Sequence, residues 1–373
     1  MGKEFDYTAN AQKFTAKYPV LSYVGTQVNF WMAANILLAI ILHLNTLSLS
    51  ATFKFGPVSG LSKNILIGAI AGFLYGSIVG LADYHLDKTV FRSKPLGKII
   101  LIKTGLSVIV TILVFGVIRF FLFQWIFLPS MYTARVSPSA SSLKYLFYIT
   151  LVYYFFMTLV INFINQVNKK YGPGILLPML LGKYRNPREE ERIFMFMDLK
   201  SSTSLAEKLG HLKFSALIRD SFMDINLLLS AFNAEVYQYI GDEIVLTWRV
   251  NDGLKNLSCI RFFFACEQQF RSRIDYYTRQ YGVLPYFKAG LHLGTVTVVE
   301  IGEIKRDIAY HGDILNTTSR IQSVCNDYNK KLLVSELILE KAGLTPNITR
   351  ESLGMIQLRG KEQMIGIVSL DIA

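Results

Sequence analysis

Two aspartates stand at positions where a chain could bind a hard cation. Asp198 follows a short apolar segment (193–197) that predicts a strand, and Asp242 lies in a Gly-Asp pair that predicts a hairpin turn. If the first strand lies beside the hairpin, both carboxylates point at one spot. Mg²⁺ prefers one or two carboxylates together with phosphate oxygens. The pattern therefore indicates a cation site, although a Gly-Asp turn is also common without any such role.

The residues that follow Asp198 suggest a place for phosphate groups. They form the polar run Lys200, Ser201, Ser202 and Thr203, which leads into a segment with helical spacing (202–231). The first backbone N–H groups of a helix have no partner within it and attract anions. Ser and Thr before a helix are equally typical of an ordinary cap, so this run is suggestive only beside the aspartates.

The order of the predicted elements indicates an α+β fold. Apolar patterning predicts strands at 193–197, 234–240, 243–248 and 287–301, a strand pair within 355–370, and helices at 202–231, 254–281 and 314–328. The order strand–helix–strand–strand–helix–strand is typical of a ferredoxin-like sandwich.

Five short segments occur in order along this half of the chain: FMDLKSST, YQYIGDEIVLTW, GLHLGTV, GDILNTTSR and LRGKEQM. Together they resemble the catalytic domain of the class III nucleotidyl cyclases, the family of the adenylate and guanylate cyclases. The resemblance covers about residues 190–371, roughly half of the chain. It implies a domain that converts ATP to 3′,5′-cyclic AMP and pyrophosphate by in-line attack of the ribose 3′-hydroxyl on the α-phosphate.

The resemblance assigns roles to residues by position. Asp198 and Asp242 match the family's two metal-binding aspartates, which hold two Mg²⁺ or Mn²⁺ ions, one at the ribose 3′-hydroxyl and one at the triphosphate. Asn316 matches the residue that orients the ribose, and Arg320 matches the one that stabilises charge on the α-phosphate. Lys361 matches the lysine that contacts the terminal phosphates. Without the family match, Arg320 would be an ordinary surface cation and Lys361 a turn residue.

The same resemblance predicts a homodimer. In this family the two aspartates and the Asn-Arg pair of one site come from different subunits. A chain with one catalytic domain that retains both sets is therefore expected to form two equivalent sites between two copies.

The family reads its purine with two positions, which here hold Gln238 and Ala309. Adenylate cyclases usually have Lys with Asp or Thr there, and guanylate cyclases have Glu with Cys or Ser. A Gln amide both donates and accepts hydrogen bonds, so it could meet either purine, whereas Ala309 offers none. Tyr310 and His311 lie nearby in sequence and are alternative contacts. We expect loose base selectivity, with ATP favoured over GTP because adenylate cyclases are commoner among bacterial relatives.

Two other functions fit parts of the pattern. A guanylate cyclase would use the same five segments, and a membrane receptor could retain a cyclase-like domain that binds nucleotide with little turnover. The altered purine positions favour the receptor, whereas the retained metal, ribose and phosphate residues favour the enzyme. A diguanylate cyclase, suggested by Gly241-Asp242-Glu243, is disfavoured because that family's turn has a second Gly where this chain has Ile240.

Composition separates the chain into two halves. Of the 373 residues, 51% are hydrophobic and only 18% are charged, which disfavours a wholly soluble protein, and a 13% aromatic content excludes disorder. Residues 1–188 carry 18 Lys and Arg against 4 Asp and Glu, whereas residues 189–373 carry 21 against 23. The net charge of +12 therefore belongs to the apolar half. Such an excess is typical of membrane-helix flanks rather than of a nucleic-acid-binding surface.

The apolar half predicts an α-helical transmembrane bundle of about four spans. The segments long enough to cross a bilayer are 28–47, 65–84, 99–128 and 145–165. The third of these is interrupted by Lys103 and Arg119, so it is either one tilted span or a span with an interfacial segment. Lys and Arg are concentrated in the N-terminal arm, the second loop and the exit from the last span. This bias predicts a multi-pass inner-membrane protein with both termini and the catalytic half in the cytoplasm. A bacterial source is what the resemblance of the single compact catalytic domain to the cyclase family implies.

Four regions follow: an N-terminal arm (1–26), a transmembrane domain (27–166), a connecting segment (167–191) and a catalytic domain (192–373). The three cysteines, an odd number and all in the catalytic half, indicate a reducing compartment. Ionisable side chains near membrane depth are expected at helix ends, the alternative being a sensing role; they are His43, Asp83 and Arg119.

Overall fold

The computed structural model describes residues 18–54, 60–89, 96–117, 140–171, 182–303, 306–343 and 348–372. The chain divides into two compact units, Tyr18–Pro173 and a second one that contains Gly174–Ala373. The first unit contains the helices α1 (Pro19–Phe53), α2 (Leu61–Thr89), α3 (Leu96–Val117) and α4 (Ala140–Tyr171).

Three described helical segments of the first unit are long and apolar enough to cross a membrane: Val20–Phe53, Leu61–Leu86 and Lys144–Asn168. They coincide with three of the predicted spans. Helix α3 covers the beginning of the remaining predicted span but is not among these three. Residues 118–128, which include Arg119, lie outside the described residues. The fourth span therefore stays a prediction.

Helix α2 packs closely against α1 through glycines spaced four residues apart. A Cβ added at Gly68, Gly72 or Gly76 would lie 2.8, 2.6 or 2.7 Å, respectively, from a backbone atom of α1. In lipid, small residues stabilise helix pairs because they let the backbones approach and gain van der Waals contact. The sequence pattern of α2 therefore sets its register on α1.

Polar side chains meet inside this helical unit. Asp83 and Lys103 form an ion pair (Oδ2–Nζ 3.3 Å) whose side chains are 5% and 4% exposed. His43 Nδ1 lies 3.2 Å from Asn64 Nδ2. Asp83 lies three residues before the end of the apolar segment Leu61–Leu86, as expected, whereas His43 lies within α1 and not at its end; both residues are buried. Their burial is tolerated because each polar group has a polar partner on a neighbouring helix in place of water.

The second unit is built on a mixed sheet of eight described strands. They are β1 (Arg188–Leu199), β2 (Glu235–Ile240), β3 (Glu243–Arg249), β4 (Phe287–Ile301), β5 (Asp307–His311), β6 (Leu332–Ser335), β7 (Ile348–Ile356) and β8 (Ile365–Ile372). Their order is β2-β3-β1-β4-β6-β8-β7, with β5 paired to β4. The part ordered β4-β1-β3-β2 is the predicted ferredoxin-like α+β arrangement.

Six helices of the second unit connect these strands in the described residues. They are α5 (Ser202–Leu229), α6 (Val250–Leu254), α7 (Ser258–Ser272), α8 (Ile274–Tyr281), α9 (Asp313–Ser323) and α10 (Glu336–Ala342). The helix predicted over 254–281 is broken at Arg273, whose guanidinium turns to bind Asp224. The predicted boundary at 192 falls inside β1, which begins at Arg188. The short elements β6 and α10 were not predicted, because segments of this length carry too little periodicity.

Alternation along β1 gives the sheet two different faces. Ile193, Met195 and Met197 point into the main core, which is closed by α5, α7 and α8. Phe194 and Phe196 belong to a second apolar cluster on the opposite face. Because successive side chains of a strand alternate between faces, Asp198 lies on this second face.

Helix α9 lies directly on the second face, over β4. A Cβ added at Gly290 would lie 2.3 Å from the backbone nitrogen of Gln322, so no larger residue fits without moving the helix. A Cβ at Gly294 would meet only the Ile314 side chain, at 3.3 Å. The two glycines of the GLHLGTV segment therefore have a packing role: they allow α9 to approach the sheet.

All three cysteines are buried and free of disulfide bonds. Burial raises the pKa of the Cys259 thiol to about 12 and that of Cys325 to about 12 as well, so both are protonated at neutral pH. The cysteines therefore act as small core residues, which is consistent with a reducing compartment.

The Gly290–Gln322 contact can be tested by adding one methyl group. We expect Gly290→Ala to destabilise the second unit by about 1–3 kcal/mol, because the new Cβ overlaps helix backbone. The matched control is Gly294→Ala on the same strand and face, where the Cβ meets a flexible side chain and the loss is smaller. Thermal unfolding of the full chain measures both. Equal unfolding temperatures for the two variants would contradict this account.

Candidate functional site

Asp198 lies near the end of β1, opposite Glu243 on β3 and Lys288 on β4. The Lys288 ammonium Nζ is 3.3 Å from Asp198 Oδ2. Gln322 on α9 donates a hydrogen bond from Nε2 to the same oxygen at 3.2 Å. Both contacts place donors on one carboxylate oxygen.

Asp242 lies in the turn between β2 and β3, beside Asp198. Gly241 before it has φ +61°, a left-handed conformation that favours glycine and allows the tight turn. Asp242 Oδ2 is buried and has no hydrogen-bond partner among the described residues. An unpaired buried carboxylate oxygen is costly, so this atom points to a missing cation or donor.

Charge repulsion marks this carboxylate group. Burial, and then the neighbouring Asp242 charge, raise the pKa of Asp198. Burial, followed by the charges of Asp198 and Asp242, raises the pKa of Glu243 to about 7. Such shifts arise where carboxylates share a site with too little positive charge. The positive charge of Lys288 opposes both shifts, because it lowers the pKa of Asp198 and that of Glu243.

These residues fit a divalent cation. The donors are carboxylate oxygens, which Mg²⁺ and Mn²⁺ prefer, and one of them is unpartnered. No group of three or more His, Cys, Asp or Glu in the described part of the chain is arranged to hold a metal.

The run after Asp198 begins helix α5. The Lys200 backbone N–H donates a hydrogen bond to Tyr286 O at 2.8 Å. This N–H is therefore already paired, contrary to the expectation from the sequence. Ser201 has φ +58° and its hydroxyl makes no cap hydrogen bond. Ser202 and Thr203 open the helix, where backbone N–H groups have no intrahelical partner. The segment thus keeps donors for an anion, but fewer than the sequence suggests.

A second group of predicted residues gathers at α9 and the turn between β7 and β8. Asn316 is exposed on α9, and Arg320 lies one turn further along it. The Arg320 guanidinium reaches the turn, where a Cβ on Gly360 would lie 3.4 Å from Nη2. The Lys361 ammonium binds Asp313 Oδ2 at the start of α9, and this bond lowers the pKa of Asp313. Asn316, Arg320 and Lys361 therefore surround one surface.

The two groups make no direct polar contact in the described part of the chain. No hydrogen bond or ion pair among the described residues joins Asp198 or Asp242 to Asn316, Arg320 or Lys361. Gln322, which binds Asp198, follows Arg320 by two residues, and two residues are about 200° of rotation on a helix. Gln322, which contacts Asp198, and Arg320 therefore project from different sides of α9.

The predicted purine positions lie on β2 and β5. Gln238 is exposed, at a bulge where the β2–β3 register shifts. Ala309 is 7% exposed and pairs with Val299 on β4. The residues next to them meet: the Tyr310 backbone N–H donates to Tyr237 Oη at 3.3 Å.

Lys288 and Gln322 are contacts of Asp198 that sequence reasoning missed. Lys288 stands just before the GLHLGTV segment, and strand alternation with Gly290 would have placed it on the same face. Lys288 and Lys200 also line one cavity of about 720 Å³. No local signal identifies Gln322, because its role depends on the packing of α9.

Comparison with known proteins agrees with the resemblance to nucleotidyl cyclases. Residues 185–368 match the family model described as the adenylate and guanylate cyclase catalytic domain. The chain is 33% identical over 210 residues to "Adenylate cyclase 2" of Rhizobium meliloti (strain 1021), covering 56% of this chain and 58% of that protein. It is 24% identical over 181 residues to "Adenylate cyclase" of Anabaena cylindrica, covering 46% of this chain and 35% of that protein.

A solved structure of a bacterial light-regulated adenylyl cyclase is 19% identical, with a TM-score of 0.49, over 58% of this chain and 62% of that one. The chain spans less than two thirds of the length of each curated relative that it matches.

Lys288 should compete with a metal ion for Asp198. We expect Lys288→Met to raise the affinity of the nucleotide-free chain for Mn²⁺ by roughly fivefold, equivalent to about 1 kcal/mol, because a positive charge leaves the site. Calorimetric titration with Mn²⁺ measures this, and Asp198→Asn should abolish the signal. The control is Lys330→Met, whose partner is Glu351. If Lys288→Met binds Mn²⁺ no more tightly than the control, the competition does not occur.

Proposed function

We propose that this chain, whose residues 185–368 belong to the adenylate and guanylate cyclase catalytic domain family, is a membrane-anchored adenylate cyclase. The observation that carries the proposal is the pair Asp198 and Asp242: the buried Asp242 Oδ2 has no hydrogen-bond partner in the described part of the chain, and the Lys288 ammonium contacts Asp198. Anionic oxygens next to an ammonium group suit a substrate that arrives as a metal–triphosphate complex.

The proposed reaction converts ATP to 3′,5′-cyclic AMP and pyrophosphate. The ribose 3′-oxygen attacks the α-phosphorus, and the bond from that phosphorus to the bridging oxygen of the β-phosphate breaks. Pyrophosphate leaves with the electron pair, and the 3′-hydroxyl proton passes to solvent. Divalent ions, Mg²⁺ or Mn²⁺, would supply positive charge at the 3′-oxygen and the phosphates when held by Asp198 and Asp242.

The chain's own residues orient the substrate and stabilise charge. Lys288 and the N–H groups of Ser202 and Thr203 hold phosphate oxygens at the end of β1. Asn316 orients the ribose, and Arg320 neutralises the charge that grows on the α-phosphate as the leaving group departs. These are positioning and electrostatic roles, which dominate phosphoryl transfer.

Lys361 would bind the terminal phosphates. In the nucleotide-free chain its ammonium is held by Asp313. The exposed position of Asp313, 69% of whose side chain is accessible, makes this a weak surface bond that a triphosphate can replace.

Two copies of the chain would share each site. Gln322, which contacts Asp198, and the Asn316–Arg320 pair project from different sides of α9, which supports a site completed by a second copy. A two-fold dimer brings the two groups together twice, which gives two equivalent sites. The three apolar helices would anchor each copy in a bilayer, with the catalytic unit in the cytoplasm.

GTP is the second candidate substrate, because Gln238 and Ala309 match neither the Lys-based nor the Glu-based purine pocket. ATP is favoured, since the relative with 33% identity is named an adenylate cyclase. Incubation of the purified full chain with ATP or GTP, each with Mg²⁺ or Mn²⁺, separates the possibilities. We expect cyclic AMP as the main product. Cyclic GMP alone would make the chain a guanylate cyclase, and no cyclic product from either nucleotide would overturn the enzyme proposal in favour of a nucleotide-binding receptor.

Shared sites predict complementation between inactive variants. Asp198→Ala and Arg320→Ala should each lower activity at least about 100-fold, because each removes one half of both sites. Co-assembled, they should recover about a quarter of the wild-type activity, since half of the dimers are mixed and each mixed dimer has one intact site.

The control for complementation is a mixture of Asp198→Ala with Asp242→Ala. Both substitutions remove a carboxylate from the same half of the site, so no mixed dimer contains an intact site. Recovery in this control, or none in the first mixture, would refute the shared arrangement.

A further inference from the structure

The purine end of the proposed site lacks an expected hydrogen-bonding group. Ala309 has no polar side-chain atom and is only 7% exposed. Gln238 is exposed and its amide suits adenine and guanine equally. Discrimination between purines needs a polar group of fixed direction, because apolar surface distinguishes them weakly.

Tyr237 brings such a group next to Ala309. It lies between Val236 and Gln238, where the β2–β3 register shifts, so it is the extra residue of a bulge. Bulges redirect side chains, and here the Tyr237 ring packs edge-on against the Tyr310 ring with centroids 4.9 Å apart. Its Oη accepts the hydrogen bond from the Tyr310 backbone N–H at 3.3 Å.

The position of this hydroxyl is fixed by the packing of Tyr310. The Tyr310 ring contacts Phe194 at 5.4 Å between centroids, and the Arg192 guanidinium lies 5.2 Å from the Tyr310 ring centre. Arg192 is 3% exposed and is bound by Glu190 at 3.0 Å and Glu235 at 2.8 Å. A buried, doubly paired guanidinium over the ring leaves Tyr310, and hence its N–H, little freedom.

The hydroxyl proton of Tyr237 is available to a ligand. A tyrosine O–H donates one hydrogen bond and can accept others. The one hydrogen bond of Tyr237 among the described residues uses the oxygen as acceptor, from Tyr310 N. The proton is therefore free to donate to an acceptor atom that arrives with the substrate.

We propose that the Tyr237 hydroxyl contacts the purine and selects adenine, in place of the hydrogen-bonding side chain missing at Ala309. The inference rests on the proposed cyclase function. Adenine carries an unprotonated ring nitrogen, an acceptor, on the edge where guanine carries a ring N–H, a donor. The Tyr237 hydroxyl can donate its proton to the ring nitrogen of adenine, whereas the ring N–H of guanine would have to compete with the Tyr310 N–H for the hydroxyl oxygen, so adenine is favoured.

Removing the hydroxyl alone tests the inference. In Tyr237→Phe the ring still packs on Tyr310 and Phe194, and we expect the ratio of kcat/KM for ATP to that for GTP to fall about three- to tenfold, the worth of one neutral hydrogen bond. The matched control is Tyr239→Phe on the same strand. Tyr239 donates to Asn226 at 2.9 Å and packs on Phe222, so its hydroxyl lies elsewhere and the ratio should stay within about twofold of wild type.

The outcomes separate this inference from the proposed function. If the wild-type chain forms no cyclic nucleotide, the function fails, whatever Tyr237 does. If the wild type is active and Tyr237→Phe keeps or raises the ATP-to-GTP ratio, only the role of Tyr237 is overturned. Where turnover of GTP or of the variant is too low to measure, competition of ATP and GTP against a fluorescent ATP analogue gives the same ratio as Kd values.

Discussion

Gly290 lets helix α9 lie directly on strand β4, and both groups of candidate site residues depend on that contact. The missing side chain brings the backbone of Gln322 onto the strand. Gln322 can then reach Asp198 from above, while Lys288, two residues before Gly290 on the same face, reaches it from within the sheet. A bulkier residue at this point would lift α9 and separate its polar residues from the carboxylates.

The same contact determines how the chain would act as an enzyme. One side of α9 packs on the sheet. Asn316 and Arg320 project from the other side, near the turn that contains Gly360 and Lys361. Under the proposed function, each chain would carry two incomplete halves of a site, and a second copy would complete them. Catalysis would then depend on how two copies approach one another, and a membrane anchor, if these helices form one, would affect that approach.

Local sequence patterns identified candidate residues but not the side chains that contact them. Asp198 and Asp242 could be identified because each lies at a recognisable strand end or turn, and one assumption about strand pairing brought them together. Lys288 and Gln322 were missed because they are about 90 and 124 residues away from Asp198 in sequence and reach it only through the sheet order and helix packing. The ion pair of Asp83 with Lys103 was not predicted for the same reason: Lys103 is on another helix. Short elements such as β6 were not predicted, because four residues are too few to show a hydrophobic periodicity.

One nucleotide is proposed to be bound by residues from two copies of the chain. A cryo-electron microscopy structure of the full chain in lipid nanodiscs, with Mn²⁺ and a slowly cyclised ATP analogue, would show this arrangement directly. We expect a two-fold dimer in which Asp198 and Asp242 of one copy and Asn316, Arg320 and Lys361 of the other copy surround the same nucleotide. A nucleotide held by both groups from a single chain would contradict it.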